Sequence, residues 1–225
     1  MALFKDKQLL NSSVFNECNI ENVLAFIGGA KISATIISSV RAINDAVRAV
    51  SMQYNALLLS ENTPLPISID YKTPDTLGKD RVAAVVGASY CFNGKDVLVI
   101  DAGTCLTIDF IKADKHYIGG RISPGLAMRF AALHEFTAKL PLIKRVNDSK
   151  LIGNDTESSI ISGVQEGIIA EVETIITTFR KENNDTIVII TGGDCFFFEK
   201  ALKNSIFANS FLVMEGLNEI LDYNE

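Results

Sequence analysis

The stretch VLVIDAGTCLTIDF, Val97 to Phe110, limits what this chain can fold into more than any other part of it. An apolar run suited to a buried strand ends in Asp101, turns through Ala102, Gly103 and Thr104, and leaves as a second apolar run towards another acid, Asp109. Two strands joined this tightly form a β-hairpin. A carboxylate at the end of a buried strand is costly unless a cation or backbone donors meet it. Gly103 lets the backbone turn closely enough for N–H groups to approach a phosphate oxygen, and Thr104 adds a hydroxyl. The pattern fits a phosphate-and-cation clamp. It also fits an ordinary hairpin with Gly103 at positive φ and a solvent-facing Asp101.

Strand and helix patterns alternate on both sides of this hairpin. Residues 1–15 read as two short strands around the polar KDKQ, and NIENVLAFIGGA reads as a helix stopped at Gly28-Gly29. SATIISSV and NALLLS read as strands, AINDAVRAVSMQY as a helix, PLPISIDY as extended chain, and a helix starts near Lys79. After the hairpin come a strand in YIGGRIS and a helix in PGLAMRFAALHEFTAKL, with Pro124 in its first turn. A long helix over TESSIISGVQEGIIAEVETIITTFRKE, a buried strand TIVIITGG and helices in CFFFEKAL and GLNEILDY complete the chain. This order predicts an α/β protein of two related halves, residues 1–94 and 95–225, divided at the turn Asn93–Lys95. A plain doubly wound fold is the alternative.

The chain has 225 residues, 48% apolar and 21% charged, enough for a substantial core. A net charge of −6 argues against a general nucleic-acid surface. Cys18, Cys91, Cys105 and Cys195 form no C-x-x-C pair, and His116 and His134 share no ligand spacing with them, so reduced thiols in a cytoplasmic protein are expected. No run reaches the ~18 apolar residues of a membrane span, and the N-terminus carries no signal-peptide segment.

Three further stretches carry chemistry. In LGKDR, Leu77–Arg81, Asp80 is placed to accept a proton from a hydroxyl nucleophile and Arg81 to fix an anion; capping by Asp80 beside a solvated Arg81 explains the pair equally simply. In TGG, Gly192 and Gly193 follow an apolar strand, where α/β proteins bind ligands or merely turn into a helix. GGRISPG, Gly119–Gly125, shapes a pocket wall, a subunit contact or a plain loop.

In this order, YKTPDTLGKDR, DAGTCLTIDF, GGRISPGLAMRFAALHEFTAKLP, NDTESSIISG and VIITGG closely resemble the type III pantothenate kinases, some of which are named Bvg accessory factors. The resemblance implies two RNase H-like domains of the acetate and sugar kinase/actin superfamily, the first truncated at its N-terminus. It also implies ATP-dependent phosphorylation of pantothenate, the first step towards coenzyme A, with Mg2+ and a monovalent cation such as K+ or NH4+. It implies a homodimer with pantothenate at the subunit interface, and no nucleic acid or membrane partner. Asp80 would then be the general base, with Tyr71, Gly78, Lys79 and Arg81 facing pantothenate and Thr156 reaching it from the neighbouring subunit. Asp101 would bind the monovalent cation, Gly103 and Thr104 the ATP phosphates, and Gly192 and Gly193 would lie near adenosine. In the helix after GGRISPG, Met128, Phe130 and Leu133 would pack the dimer interface, or else be buried within one subunit.

One departure stands against the matches. The family opens with D-x-G-N-T-x-x-K on its first strand, and MALFKDKQLL aligns with the strand after it. The expectation is a chain that folds but phosphorylates poorly, with a non-catalytic ligand-binding or regulatory role as the alternative.

Overall fold

The computed structural model describes residues 1–40 and 42–225. In chain order the elements are β1 (Ala2–Lys5), β2 (Gln8–Ser12), α1 (Ile20–Ile27), β3 (Ile36–Ile37), α2 (Asp45–Gln53), β4 (Leu57–Leu58), β5 (Ser68–Ile69), α3 (Lys79–Cys91), β6 (Val97–Ala102), β7 (Cys105–Ile111) and β8 (His116–Pro124). There follow α4 (Leu126–Glu135), α5 (Thr156–Ile161), α6 (Gly167–Glu182), β9 (Ile187–Thr191), α7 (Cys195–Ala201), β10 (Phe207–Ala208) and α8 (Leu212–Tyr223).

The main sheet has the order β10-β9-β6-β7-β8-β5. β6, β9 and β10 run parallel, while β6–β7–β8 form an antiparallel meander. β6 and β9 are central and covered on both faces, which is why they read as unbroken apolar runs. Successive side chains of β6 alternate between two cores. Val97 and Val99 pack with α3 and α8 through Val82, Val85, Val86, Leu212 and Ile220. Leu98 and Ile100 pack with α4, α6 and α7 through Phe130, Ile168, Val172 and Phe198. The result is the α/β layering expected from the sequence.

β5 pairs in parallel with β8, so residues before the Asn93–Lys95 turn extend the sheet formed by residues after it. The N-terminal strands form two separate pairs, β1–β2 antiparallel and β3–β4 parallel. A cavity of about 460 Å³ lies between them, lined in part by Leu3, Phe4, Ile36, Ile37, Val50 and Leu217.

Three elements differ from the sequence reading. Pro124 closes β8 opposite Cys105 and lies outside the helix, and α4 ends at Glu135. On α4, Phe130 is 3% exposed and belongs to the chain's own core, so it is not available to a partner. The long C-terminal helix is interrupted by a π turn, Ser162–Glu166. There the buried Gln165 accepts from the Val146 N–H at 2.7 Å and donates to the Val146 carbonyl at 3.2 Å. This pins an otherwise irregular segment. Among the described residues, no helix is long and apolar enough to cross a membrane.

Candidate active site

The site lies where the start of α3 meets the β6–β7 hairpin and β8. Gly78 caps α3, and its first turn carries Lys79, Asp80 and Arg81. Asp80 is solvent-exposed, and its Oδ1 accepts the Arg81 backbone N–H at 2.8 Å. The free N–H groups and dipole of a helix start favour the carboxylate. Lys79 reaches Glu61 at 3.7 Å.

Arg81 is not solvated, which corrects that reading of its side chain. It is 5% exposed, and its fork holds Asp109. Nε lies 3.1 Å from each carboxylate oxygen and Nη2 lies 2.5 Å from Oδ1. The same Oδ1 accepts the Tyr117 hydroxyl at 2.7 Å. Tyr117 stacks on Tyr71, with ring centroids 6.1 Å apart and planes at 19°. The Arg81 guanidinium lies 5.8 Å from the centre of the Tyr71 ring. Burial and the Asp109 carboxylate push the Tyr117 phenol well above its usual range. Gly120 faces Asp109 across the β7–β8 ladder, and a Cβ there would collide with the Asp109 carboxylate. The sequence reading assigned no role to Asp109 or Tyr117, and it took Gly120 only as part of GGRISPG. The available signal was an acid inside the apolar run LTIDF, a position that demands a partner.

Asp101 ends β6 beneath this group. Burial, and then the neighbouring charges of Asp80 and Asp109, raise its carboxyl to about 6. Among the described residues no basic side chain pairs with it. Gly192 has a φ of 90°, the left-handed region, and a Cβ there would strike the Asp101 carboxylate and the Ala102 carbonyl. That close approach explains the first glycine of TGG. Gly103 is not left-handed, contrary to the hairpin reading. The nearest atom to a Cβ built there is Asp101 Oδ1, at 3.6 Å. Thr104 stands exposed at the hairpin tip, its carbonyl accepting from Gly125 N–H at 3.0 Å. Gly193, next after Gly192 in the chain, is exposed, and the hydroxyl of Thr191 is buried without a partner.

The structure thus joins Tyr71, Asp80, Arg81 and Asp101 in one cluster, with Gly192 packed on Asp101. Thr156 opens α5 behind an Asp155–Ser158 capping box, and it is exposed. It has no hydrogen bond or ion pair with that cluster. Chemically, an exposed carboxylate at a helix start can take a proton, while the buried one below it attracts a cation.

The sequence model of one family, the type III pantothenate kinases, matches residues 10–178. A type III pantothenate kinase of Christiangramia forsetii is 44% identical over 100% of this chain and 93% of its own length. Another, from Phocaeicola vulgatus, is 48% identical over 84% of this chain and 79% of its own. The solved structure of a Baf family protein from Campylobacter jejuni superposes with a TM-score of 0.59 at 22% identity, covering 92% of this chain and 88% of its own, a likeness of fold. These relatives lend no support to an inactive chain or to a purely regulatory one.

Proposed function

We infer the chemistry of the cleft from one premise: the chain belongs to the type III pantothenate kinase family, enzymes that phosphorylate pantothenate on the way to coenzyme A. Its substrates are pantothenate and ATP with Mg2+. The observation that carries the site assignment is the exposed Asp80 carboxylate on the first turn of α3, beside a tyrosine wall and above a second, buried acid. Asp80 acts as the general base on the pantothenate hydroxyl. Tyr71, Gly78 and Lys79 face the substrate, and Arg81 supports that surface from below. Gly103 and Thr104 meet the ATP phosphates, and Gly192 and Gly193 lie near adenosine.

Asp101 fits a monovalent cation. It is a largely buried carboxylate with no basic partner among the described residues, flanked by the Ala102 carbonyl under Gly192. Bound there, K+ or NH4+ supplies positive charge next to the phosphates. Among the described residues no three metal-ligating side chains gather into a cage. The remaining contribution is positioning, the larger part of phosphoryl-transfer catalysis.

We place the enzyme in the cytoplasm, consistent with four free thiols. We also propose a homodimer, with Thr156 of a second copy completing the pantothenate site. The exposed, uncommitted Thr156 supports this arrangement. The test is ADP release in the presence of pantothenate. Asp80→Asn should lower kcat by about 10²–10⁴-fold, the range for loss of a general base. Turnover close to the parent would remove Asp80 from that role.

A further inference from the structure

Beneath the substrate-facing surface lies a buried group formed by Arg81, Asp109 and Tyr117. Asp109 is 1% exposed and sits mid-strand on β7. It receives two nitrogens of Arg81 and the hydroxyl of Tyr117, itself 0% exposed on β8. A buried ion pair is poor value as a stabiliser, because desolvation offsets most of its attraction. Its geometry is nonetheless strongly specified. Gly120 leaves no room for a side chain between β8 and the pair, where a Cβ would also lie 2.9 Å from Arg81 Nη2. What the group fixes is visible at its outer end. Arg81 and Tyr117 both lie against the Tyr71 ring, one by its guanidinium and one by stacking. The Arg81 backbone also donates to Asp80.

We propose that Asp109 and Tyr117 are positioning residues for the kinase reaction: they lock Arg81 in place and so hold the Tyr71 ring and the first turn of α3 in the pantothenate-binding geometry. This rests on the assignment of Tyr71 and Asp80 made above. The ring contacts and hydrogen bonds of the group lead to Tyr71 and Asp80 on the substrate wall. The Asp109 charge also reaches Asp101. Tyr117→Phe leaves that charge in place, so it is the variant that separates the substrate wall from the nucleotide side. Tyr117→Phe removes one hydroxyl and keeps the stacked ring. Asp109→Asn keeps the volume and takes away the charge that Arg81 requires.

The experiment is steady-state kinetics of the full chain carrying each substitution, with pantothenate and ATP varied in turn and the unfolding midpoint measured alongside. The expected result is a pantothenate KM raised about tenfold by Tyr117→Phe and more by Asp109→Asn, the range for a lost hydrogen bond to a charged group. In Tyr117→Phe the ATP KM should stay within about twofold of the parent. A purely structural role would instead lower kcat in step with the folded fraction and leave both KM values unchanged, and that result overturns the proposal. Should Asp109→Asn fail to fold, Tyr117→Phe decides by the same criterion. A second readout needs no turnover. In NMR spectra of ring-labelled tyrosine, Tyr71 should give sharp, distinct edge signals in the parent and averaged ones in the variants. Unaltered Tyr71 signals in Tyr117→Phe overturn the proposal even if pantothenate proves not to be the substrate, whereas failure of the substrate assignment alone leaves them averaged.

Discussion

At the scale of single residues, the three acids of the site are separated by environment and not by type. Asp109 is neutralised by Arg81, Asp80 is open to water, and Asp101 is half-buried beside the charges of Asp80 and Asp109, with no basic partner among the described residues. Asp101 therefore carries a cost with a definite sign. Its folded-state value of about 6 lies above the ordinary 3.8, so the native state holds the proton more tightly than the unfolded chain. Its favourable contribution is complete at pH values below the unfolded value and is lost as pH rises through about 6. The difference corresponds to on the order of 3 kcal/mol. Asp155, whose carboxylate is held below its usual range by the Ser158 backbone N–H, contributes the opposite slope, so the comparison must be with a variant. Asp101→Asn should be more stable than the parent at pH 8 in a buffer without K+ or NH4+, and the gain should vanish near pH 4. Adding K+ at pH 8 should raise the parent's unfolding midpoint and leave the variant's in place. A variant no more stable than the parent at pH 8 would mean that Asp101 finds a partner unaided.

At the scale of elements, the position of the base depends on one helix crossing. α3 is buried from Arg81 to Ser89, and it packs against α8 at Gly87 and Gly216. A Cβ on Gly216 would run into the Ala83 carbonyl, and one on Gly87 into the Leu212 carbonyl. The two backbones are in contact, and no rotamer change can make room. Gly216→Ala should cost about 1–3 kcal/mol or more, as overpacking of a tight core does. Because α3 must shift bodily, its first turn shifts too, so kcat should fall further than the unfolded fraction explains. Chemical denaturation and activity on the same sample check both. This crossing was not legible in the sequence. Nothing in KDRVAAVVGASYCF or GLNEILDY marks its glycine as a contact. The hairpin was legible, because an acid at the end of an apolar run followed by Gly-Thr admits few conformations. The place of Asp80 in the first turn of a helix was legible in Gly-Lys-Asp-Arg. The pairing of Arg81 with Asp109 was not, because Asp109 is far away in sequence and brought to it by the meander β6–β7–β8. Helix ends were misplaced where the signal was tertiary: Pro124 is held in β8 by pairing with Cys105, and the π turn at Ser162–Glu166 follows from Gln165 bonding to Val146.

At the scale of the whole molecule, the question is what completes the pantothenate site. Phe130 is spent on the chain's own core, so the apolar surface left for a second copy is elsewhere. Ile122, Met128, Phe136, Leu142, Leu151 and Ile152 are all exposed, at 63, 38, 87, 58, 75 and 79%. Two of them lie just before Thr156 in the chain, and exposed large apolar side chains in such number point to an interface. The proposed dimer makes a prediction that a monomer does not. Each site would draw Asp80 from one copy and Thr156 from the other. Asp80→Asn and Thr156→Arg should each be nearly inactive alone. When the two are unfolded together and refolded as a mixture, half the dimers are mixed, and each of those has one site with both native residues. Activity should therefore return to about a quarter of the parent's, provided the dimer is a symmetric pair with isologous contacts. If Thr156 served the Asp80 of its own chain, every mixed dimer would carry two damaged sites and no activity would return. Light scattering on the parent at micromolar concentration gives the companion result: a mass twice 24.5 kDa is expected, and a mass of 24.5 kDa would remove the shared site altogether.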